Sequence, residues 1–177
     1  MSEEETGRRE AHWDSGKMYN STTNALASSF IAIAKGTTMN ATSTLDPALA
    51  SLMEQANRAA QNSYSPYSGF KVGAALKLSN GVVVTGTNVE NVSYGLTICA
   101  ERSAAVTAVS TFGPGVRIEA VAIANLNNAP SPPCGACRQF LAEFISPEAP
   151  VAFAAADGLR SMPFSAVLPL AFDMKLK

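Results

Sequence analysis

The chain has 177 residues, of which 47% are apolar and 15% charged, and its formal net charge is −1. That balance excludes a disordered or highly charged chain and suits one globular domain of ordinary core size with a leader. The longest candidate apolar run, residues 25–34, is interrupted by Ser28 and Ser29 and falls short of the roughly 20 residues that cross a bilayer.

Residues 1–45 are rich in Ser, Thr, Asn and Glu and show no sustained periodicity, so an N-terminal extension, flexible or docking, is expected there. Glu3, Glu4 and Glu5 argue against a secretory signal or an acid-poor transit peptide, while the acid-free stretch 17–44 leaves cryptic targeting open. His12, the one histidine, reads as an ordinary surface residue of this leader.

The pattern tightens from residue 46. Asp46-Pro47 reads as an N-cap and first helical residue, opening a helix to about Ala60 with Leu49, Leu52, Met53 and Ala56 inward. A strand is expected over 70–78, a turn at Asn80-Gly81, and a return strand from Val82. Cys99 opens an Ala-rich helix that Gly113-Pro114-Gly115 breaks, and residues 117–124 read as a third strand. The segment 137–145 reads as a helix with an apolar stripe of Phe140, Leu141, Phe144 and Ile145, entered at Pro133. A buried strand over 151–154 follows. The β-α-β order implies a three-layer α/β sandwich, with both cysteine-bearing helices starting at one edge of the sheet.

All three cysteines fall in two short motifs, Cys99-Ala100-Glu101 and Pro133-Cys134-Gly135-Ala136-Cys137. Three thiolates make three corners of a tetrahedral zinc site and leave the fourth for water. With a nearby carboxylate that is not a ligand, this is the established signature of zinc deaminases. Residues two apart on a helix point in nearly opposite directions, so Cys99 and Glu101 serve one ion only if it lies off the helix N-terminus. Two helix N-termini would then meet at the metal and favour thiolate over thiol. Glu101 is the expected proton shuttle. Arg102 and Arg138, each beside a ligating cysteine, are expected to offset the thiolate charge by hydrogen bonding to sulfur.

Other readings of the same residues remain open. Cys134 and Cys137 alone fit a redox pair, which leaves Cys99 and Glu101 without a role. A structural zinc site lacks a fourth ligand. Reduced thiols reserved for a metal fit an intracellular, cytoplasmic setting. In residues 46–177 nine Lys and Arg balance nine Asp and Glu, without the basic stripe a polynucleotide requires. A free small molecule is the expected substrate.

Further motifs support a family name. The stretches Tyr64-Ser65-Pro66-Tyr67-Ser68-Gly69-Phe70-Lys71-Val72-Gly73-Ala74-Ala75, Gly86-Thr87-Asn88-Val89-Glu90-Asn91, Cys99-Ala100-Glu101-Arg102, Pro133-Cys134-Gly135-Ala136-Cys137-Arg138-Gln139 and Leu168-Pro169 with Phe172 occur in order. Over about residues 51–172 the chain resembles the homotetrameric zinc-dependent cytidine deaminases. The resemblance implies a mixed, roughly five-stranded sheet between helices, and residues 46–177 as the catalytic domain. It implies hydrolytic deamination of cytidine and deoxycytidine in pyrimidine salvage, with Zn2+ as cofactor. Phe70 would pack on the pyrimidine, Asn88 and Glu90 would bind the ribose hydroxyls, and the Ala100 amide would hold the pyrimidine carbonyl. Tyr94 and Phe172 match positions that reach a neighbouring subunit's site, making a homotetramer with shared sites the expected assembly. Neither nucleic acid nor membrane is an expected partner. Pro132 departs from the family, which often has Ser there. The rivals are a nucleoside-analogue deaminase, a polynucleotide-editing deaminase and a non-enzymatic zinc-binding module.

Overall fold

Asp46 caps the first helix as its sequence requires: Oδ1 accepts from the N–H groups of Ala48 at 2.8 Å and Leu49 at 3.2 Å. In the computed structural model, which describes residues 45–173, this helix α1 is Pro47–Ala60 and buries Leu49, Leu52, Met53, Ala56 and Ala60. Apart from Leu45, the extension expected over residues 1–45 lies outside the described residues.

The strands are β1 (Val72–Leu78), β2 (Val83–Thr87), β3 (Ile118–Asn125), β4 (Pro150–Ala155) and β5 (Gly158–Pro163). They form one sheet in the order β2-β1-β3-β4-β5, parallel between β3 and β4 and antiparallel elsewhere. The fold class expected from the sequence is the one observed: a mixed five-stranded sheet between helices.

Side-chain alternation along the strands separates two cores. One face offers mainly small residues, Ala75, Ala120, Ala122, Ala124 and Ala152, with partly buried Val83 beside them, and α1 packs on it. The other offers Leu76, Leu78, Val121, Ile123, Val151 and Phe153. Against this face pack α2 (Ala100–Phe112), α3 (Gly135–Leu141) and the short α4 (Phe164–Val167). Truncating a large buried side chain such as Leu76 or Ile123 to Ala costs about 2–5 kcal/mol.

Gly86 of β2 lets α2 approach closely. A Cβ there would stand 2.3 Å from the Ala104 backbone nitrogen and 2.6 Å from the Ala100 carbonyl oxygen. The position of the α2 N-terminus is therefore set by backbone-to-backbone contact with the sheet.

Three local expectations need correction. The first strand begins at Val72 rather than residue 70, because side-chain amides take the place of a strand partner. Asn88 bridges the Phe70 carbonyl and the Val72 N–H, and Asn127 Oδ1 accepts from Lys71 N–H. The helix expected over 137–145 ends at Leu141. There the Phe144 carbonyl accepts from Ile118 N–H at 2.9 Å, and Ile145 forms a bridge to Ile118. Pairing with β3 thus outcompetes the helical period. The strand β5 and helix α4 had no counterpart in the residue-by-residue reading, although the resemblance implied about five strands. β5 is an edge strand with its side chains largely exposed, so it lacks the apolar alternation that marks a buried one. Asp157-Gly158 was the available signal for its hairpin.

Candidate active site

Both cysteine motifs sit where a helix begins. Cys99 is the N-cap of α2 and Cys134 the N-cap of α3, and the Cys134 sulfur accepts from Cys137 N–H at 3.4 Å. Cys134 therefore precedes the helix and turns its thiol back over the first turn toward Cys137. The parallel β3–β4 crossover brings α3 beside α2, so cysteines 35 positions apart in sequence meet. The three Sγ atoms lie within 4.8 Å of one another, and Cys99 and Cys134 are 3.8 Å apart. Sulfurs at the corners of a zinc tetrahedron, with bonds of about 2.3 Å, stand about 3.8 Å apart. The donor set fits zinc in chemistry, and the Cys99–Cys134 pair fits it in spacing. Among the described residues it is the only group of three or more His, Cys, Asp or Glu side chains close enough to share an ion.

Charge is distributed unevenly across this cluster. The Cys99 thiol is lowered to about 5, first by the Cys137 thiol donating to it and then by Arg102. Cys137 is pushed up by its hydrogen bond with Cys99 and by burial. Thiols this close cannot all ionise without a cation among them, because each thiolate repels the next. A dication between the sulfurs removes that conflict.

Glu101 is the second residue of α2 and is buried, 4% exposed. Burial pushes its carboxyl above the ordinary range, opposed by its own backbone N–H. Arg102 donates to Cys99 Sγ at 3.6 Å and to the Thr97 carbonyl at 3.2 Å, as a residue offsetting sulfur charge should. Its Nε is buried without a partner. Arg138 makes no bond to sulfur. Its Nε donates to the Pro133 carbonyl at 2.7 Å and Nη1 to the Val167 carbonyl at 3.0 Å. Helical side chains lean toward the N-terminus, which carries this guanidinium past the cysteines to the backbone preceding them.

A cavity of about 330 Å³ opens in front of the cysteines. Its lining includes Phe70, Asn88, Glu90, Ala100, Glu101, Cys99 and Cys134. Asn88 is buried, and its side chain also braces the cavity wall. Oδ1 accepts from Ser63 Oγ at 2.5 Å and from Val72 N–H at 2.9 Å, while Nδ2 donates to the Phe70 carbonyl at 2.8 Å. Glu90 Oε2 accepts from the N–H groups of Tyr67 at 2.9 Å and Ser68 at 3.2 Å, and Oε1 accepts from Ser68 Oγ. The Ser68 hydroxyl, followed by those backbone donors, holds the Glu90 carboxyl below its usual range.

Tyr94 and Phe172 are not among the cavity-lining residues, and they are 75% and 72% exposed. The Phe172 backbone is nevertheless held at both ends: Gln139 Nε2 donates to its carbonyl at 2.8 Å and Gln139 Oε1 accepts its N–H at 3.0 Å. Sequence reasoning gave Ser68, Gln139 and Asn127 no role. Each lies inside or near a recognised motif, but its partner is 22 to 58 residues away.

Comparison with known proteins agrees with this geometry. The family described as the cytidine and deoxycytidylate deaminase zinc-binding region matches residues 47–152. The chain belongs to that family. It is 43% identical over 123 residues to a cytidine deaminase of Halalkalibacterium halodurans, a match covering 68% of this chain and 91% of that protein. The crystal structure of a cytidine deaminase from Burkholderia pseudomallei is similar with a TM-score of 0.63 and 41% identity, over 70% of this chain and 98% of that one. A cytidine deaminase structure from Mycobacterium tuberculosis gives 0.60 and 41%, over 71% and 97%. The family match, together with the three-sulfur cluster, identifies zinc as the cofactor. No helix among the described residues is long and apolar enough to cross a membrane.

Proposed function

We propose that the protein is a cytidine deaminase, converting cytidine and deoxycytidine to uridine and deoxyuridine with water consumed and ammonia released. The observation that carries this is a buried carboxylate, Glu101, beside a three-thiolate zinc site at the wall of a cavity of nucleoside size. Cys99, Cys134 and Cys137 hold the zinc, which when bound supplies a Lewis acid able to bring the pKa of water to about 7. Glu101 accepts a proton from the attacking water and gives it to the ring nitrogen next to the amine-bearing carbon; it then carries a second proton, from the hydroxyl now on that carbon, to the departing amine as the carbonyl forms. Its burial suits this work, since desolvation raises the carboxyl's proton affinity above that of an exposed glutamate. The Ala100 N–H, at the α2 N-terminus, donates to the pyrimidine carbonyl. Phe70 packs on the ring.

Asn88 and Glu90 read the sugar hydroxyls. With Oδ1 already accepting twice, Asn88 contributes its remaining N–H, and anionic Glu90 accepts a hydrogen bond from a sugar hydroxyl and disfavours a phosphate. Arg102 offsets the charge on Cys99, and Arg138 holds the backbone on which Cys134 stands.

A homotetramer with shared sites accounts for Tyr94 and Phe172, two aromatics exposed on one subunit and able to complete the site of the next. Residues 46–177 form the catalytic domain and 1–45 an extension, a division consistent with a family match that begins at residue 47. The reduced thiols favour a cytoplasmic setting.

The test of activity is loss of cytidine absorbance with matched ammonia release, abolished by a chelator and restored by zinc. Zinc-loaded protein that leaves cytidine untouched, or that acts on cytosine in single-stranded nucleic acid instead, overturns the proposal. For shared sites, inactive Glu101→Gln subunits are mixed with impaired Phe172→Ala subunits. Activity above the weighted mean is expected, and activity equal to that mean refutes sharing.

A further inference from the structure

Ser68 lines the cavity one turn of loop away from Phe70, and its hydroxyl joins two ligand-facing residues. It donates its single proton to Glu90 Oε1, and its oxygen accepts the Phe70 N–H at 2.9 Å. Gly69, at φ +66°, turns the chain between them, a conformation that side chains beyond glycine rarely adopt. This turn is itself tied down, since Gly69 N–H donates to the Ser65 carbonyl at 3.0 Å and its carbonyl accepts from Asn127 Nδ2 at 3.2 Å.

A glutamate as accessible as Glu90 ordinarily samples several rotamers, and holding one costs side-chain entropy. Here three donors fix it, two backbone N–H groups on Oε2 and the Ser68 hydroxyl on Oε1. The backbone donors alone hold one oxygen and leave the carboxylate free to pivot about it. Ser68 supplies the second point and so sets the plane of the carboxylate. Because its only proton is committed to Glu90, Ser68 has none to offer a ligand.

We propose that Ser68 is a positioning residue for sugar recognition. It pre-orients Glu90 toward a vicinal pair of hydroxyls and, through the Phe70 N–H, fixes that carboxylate relative to the aromatic ring on the base. The inference rests on the proposed role of Glu90 in reading the sugar. It assigns Ser68 to nucleoside affinity and leaves proton transfer to Glu101. An interaction made equally in the ground and transition states changes KM and leaves kcat alone.

The experiment measures KM and kcat for cytidine, together with the inhibition constant of 2′,3′-dideoxycytidine against cytidine, in the wild type, Ser68→Ala, Ser68→Thr and Glu90→Ala, with thermal melts to verify folding. For Ser68→Ala the cytidine KM rises roughly tenfold, the scale of one hydrogen bond to a charged group, with kcat within about twofold. The dideoxy compound has no hydroxyls for Glu90 to read, so its inhibition constant changes by less than about threefold. Ser68→Thr, which keeps the hydroxyl, restores the cytidine KM. Equal weakening of both nucleosides, a loss confined to kcat, or wild-type values for Ser68→Ala overturns the role of Ser68. If Glu90→Ala separates the two nucleosides and Ser68→Ala does not, Ser68 alone is misassigned. If Glu90→Ala itself treats them alike, the sugar-reading role of Glu90 falls, and the role of Ser68 with it.

Discussion

Substituting Gly86 with Ala probes how the fold places the reacting groups, because Gly86 supplies none of them. The added Cβ would sit 2.3 Å from the Ala104 nitrogen, and real Cβ contacts essentially never fall below 3.0 Å. The gap must open by 0.7 Å (3.0 − 2.3) at least, and by 1.1 Å (3.4 − 2.3) to reach ordinary contact. The other two atoms it meets, the Ala100 oxygen and Ala104 Cα, are also backbone, so no side chain can swing aside and the first turns of α2 and strand β2 must separate. Those turns begin at Cys99 and contain Glu101. A metal site tolerates about 0.2 Å in its bond lengths, and a misplacement near 1 Å costs about 100-fold in rate. Overpacking of this kind costs about 3 kcal/mol, or roughly 10 °C in melting temperature for a domain of this size. The assay combines thermal melts in saturating zinc, zinc content per chain, and cytidine turnover. Gly115→Ala, where an added Cβ meets nothing within 4 Å, is the matched control. A Gly86→Ala protein with wild-type melting temperature and turnover would refute the claim that this contact sets the site.

Two further outcomes are expected. Glu101→Gln keeps its zinc and its fold and loses about 10²- to 10⁴-fold in turnover, the usual worth of a general acid–base; loss of metal on this change, read by metal analysis, would make Glu101 a ligand instead. In metal-free protein the Cys99 pKa of about 5 keeps its sulfur charged well below the range of an ordinary thiol, chiefly through the Cys137 thiol and then Arg102. Alkylation mapped to Cys99 should therefore hold nearly constant from pH 8 to about pH 6. A rate that falls tenfold per pH unit across that range would contradict the lowered value.

Features that depend on a few neighbouring residues were legible in the sequence. Asp46-Pro47 read as a helix start, the period of Leu49, Leu52, Met53 and Ala56 set its inner face, and three thiols with one carboxylate pointed to the metal chemistry. The family resemblance added the cavity residues Phe70, Asn88 and Glu90, which the structure does bring to one cavity. Tertiary structure decided where alternatives were locally comparable. The last turn expected of α3 yields to pairing with Ile118, because a backbone carbonyl near the end of a helix bonds to a strand as readily as to a helical turn. Arg138 reaches Pro133 and Val167 rather than sulfur, since a long side chain settles on whichever acceptor the packed chain presents. The three donors around Glu90 and the two bonds from Gln139 to Phe172 join segments more than 20 residues apart. Local pattern names the chemical groups; only the folded chain, by closing those long loops, determines which of them meet.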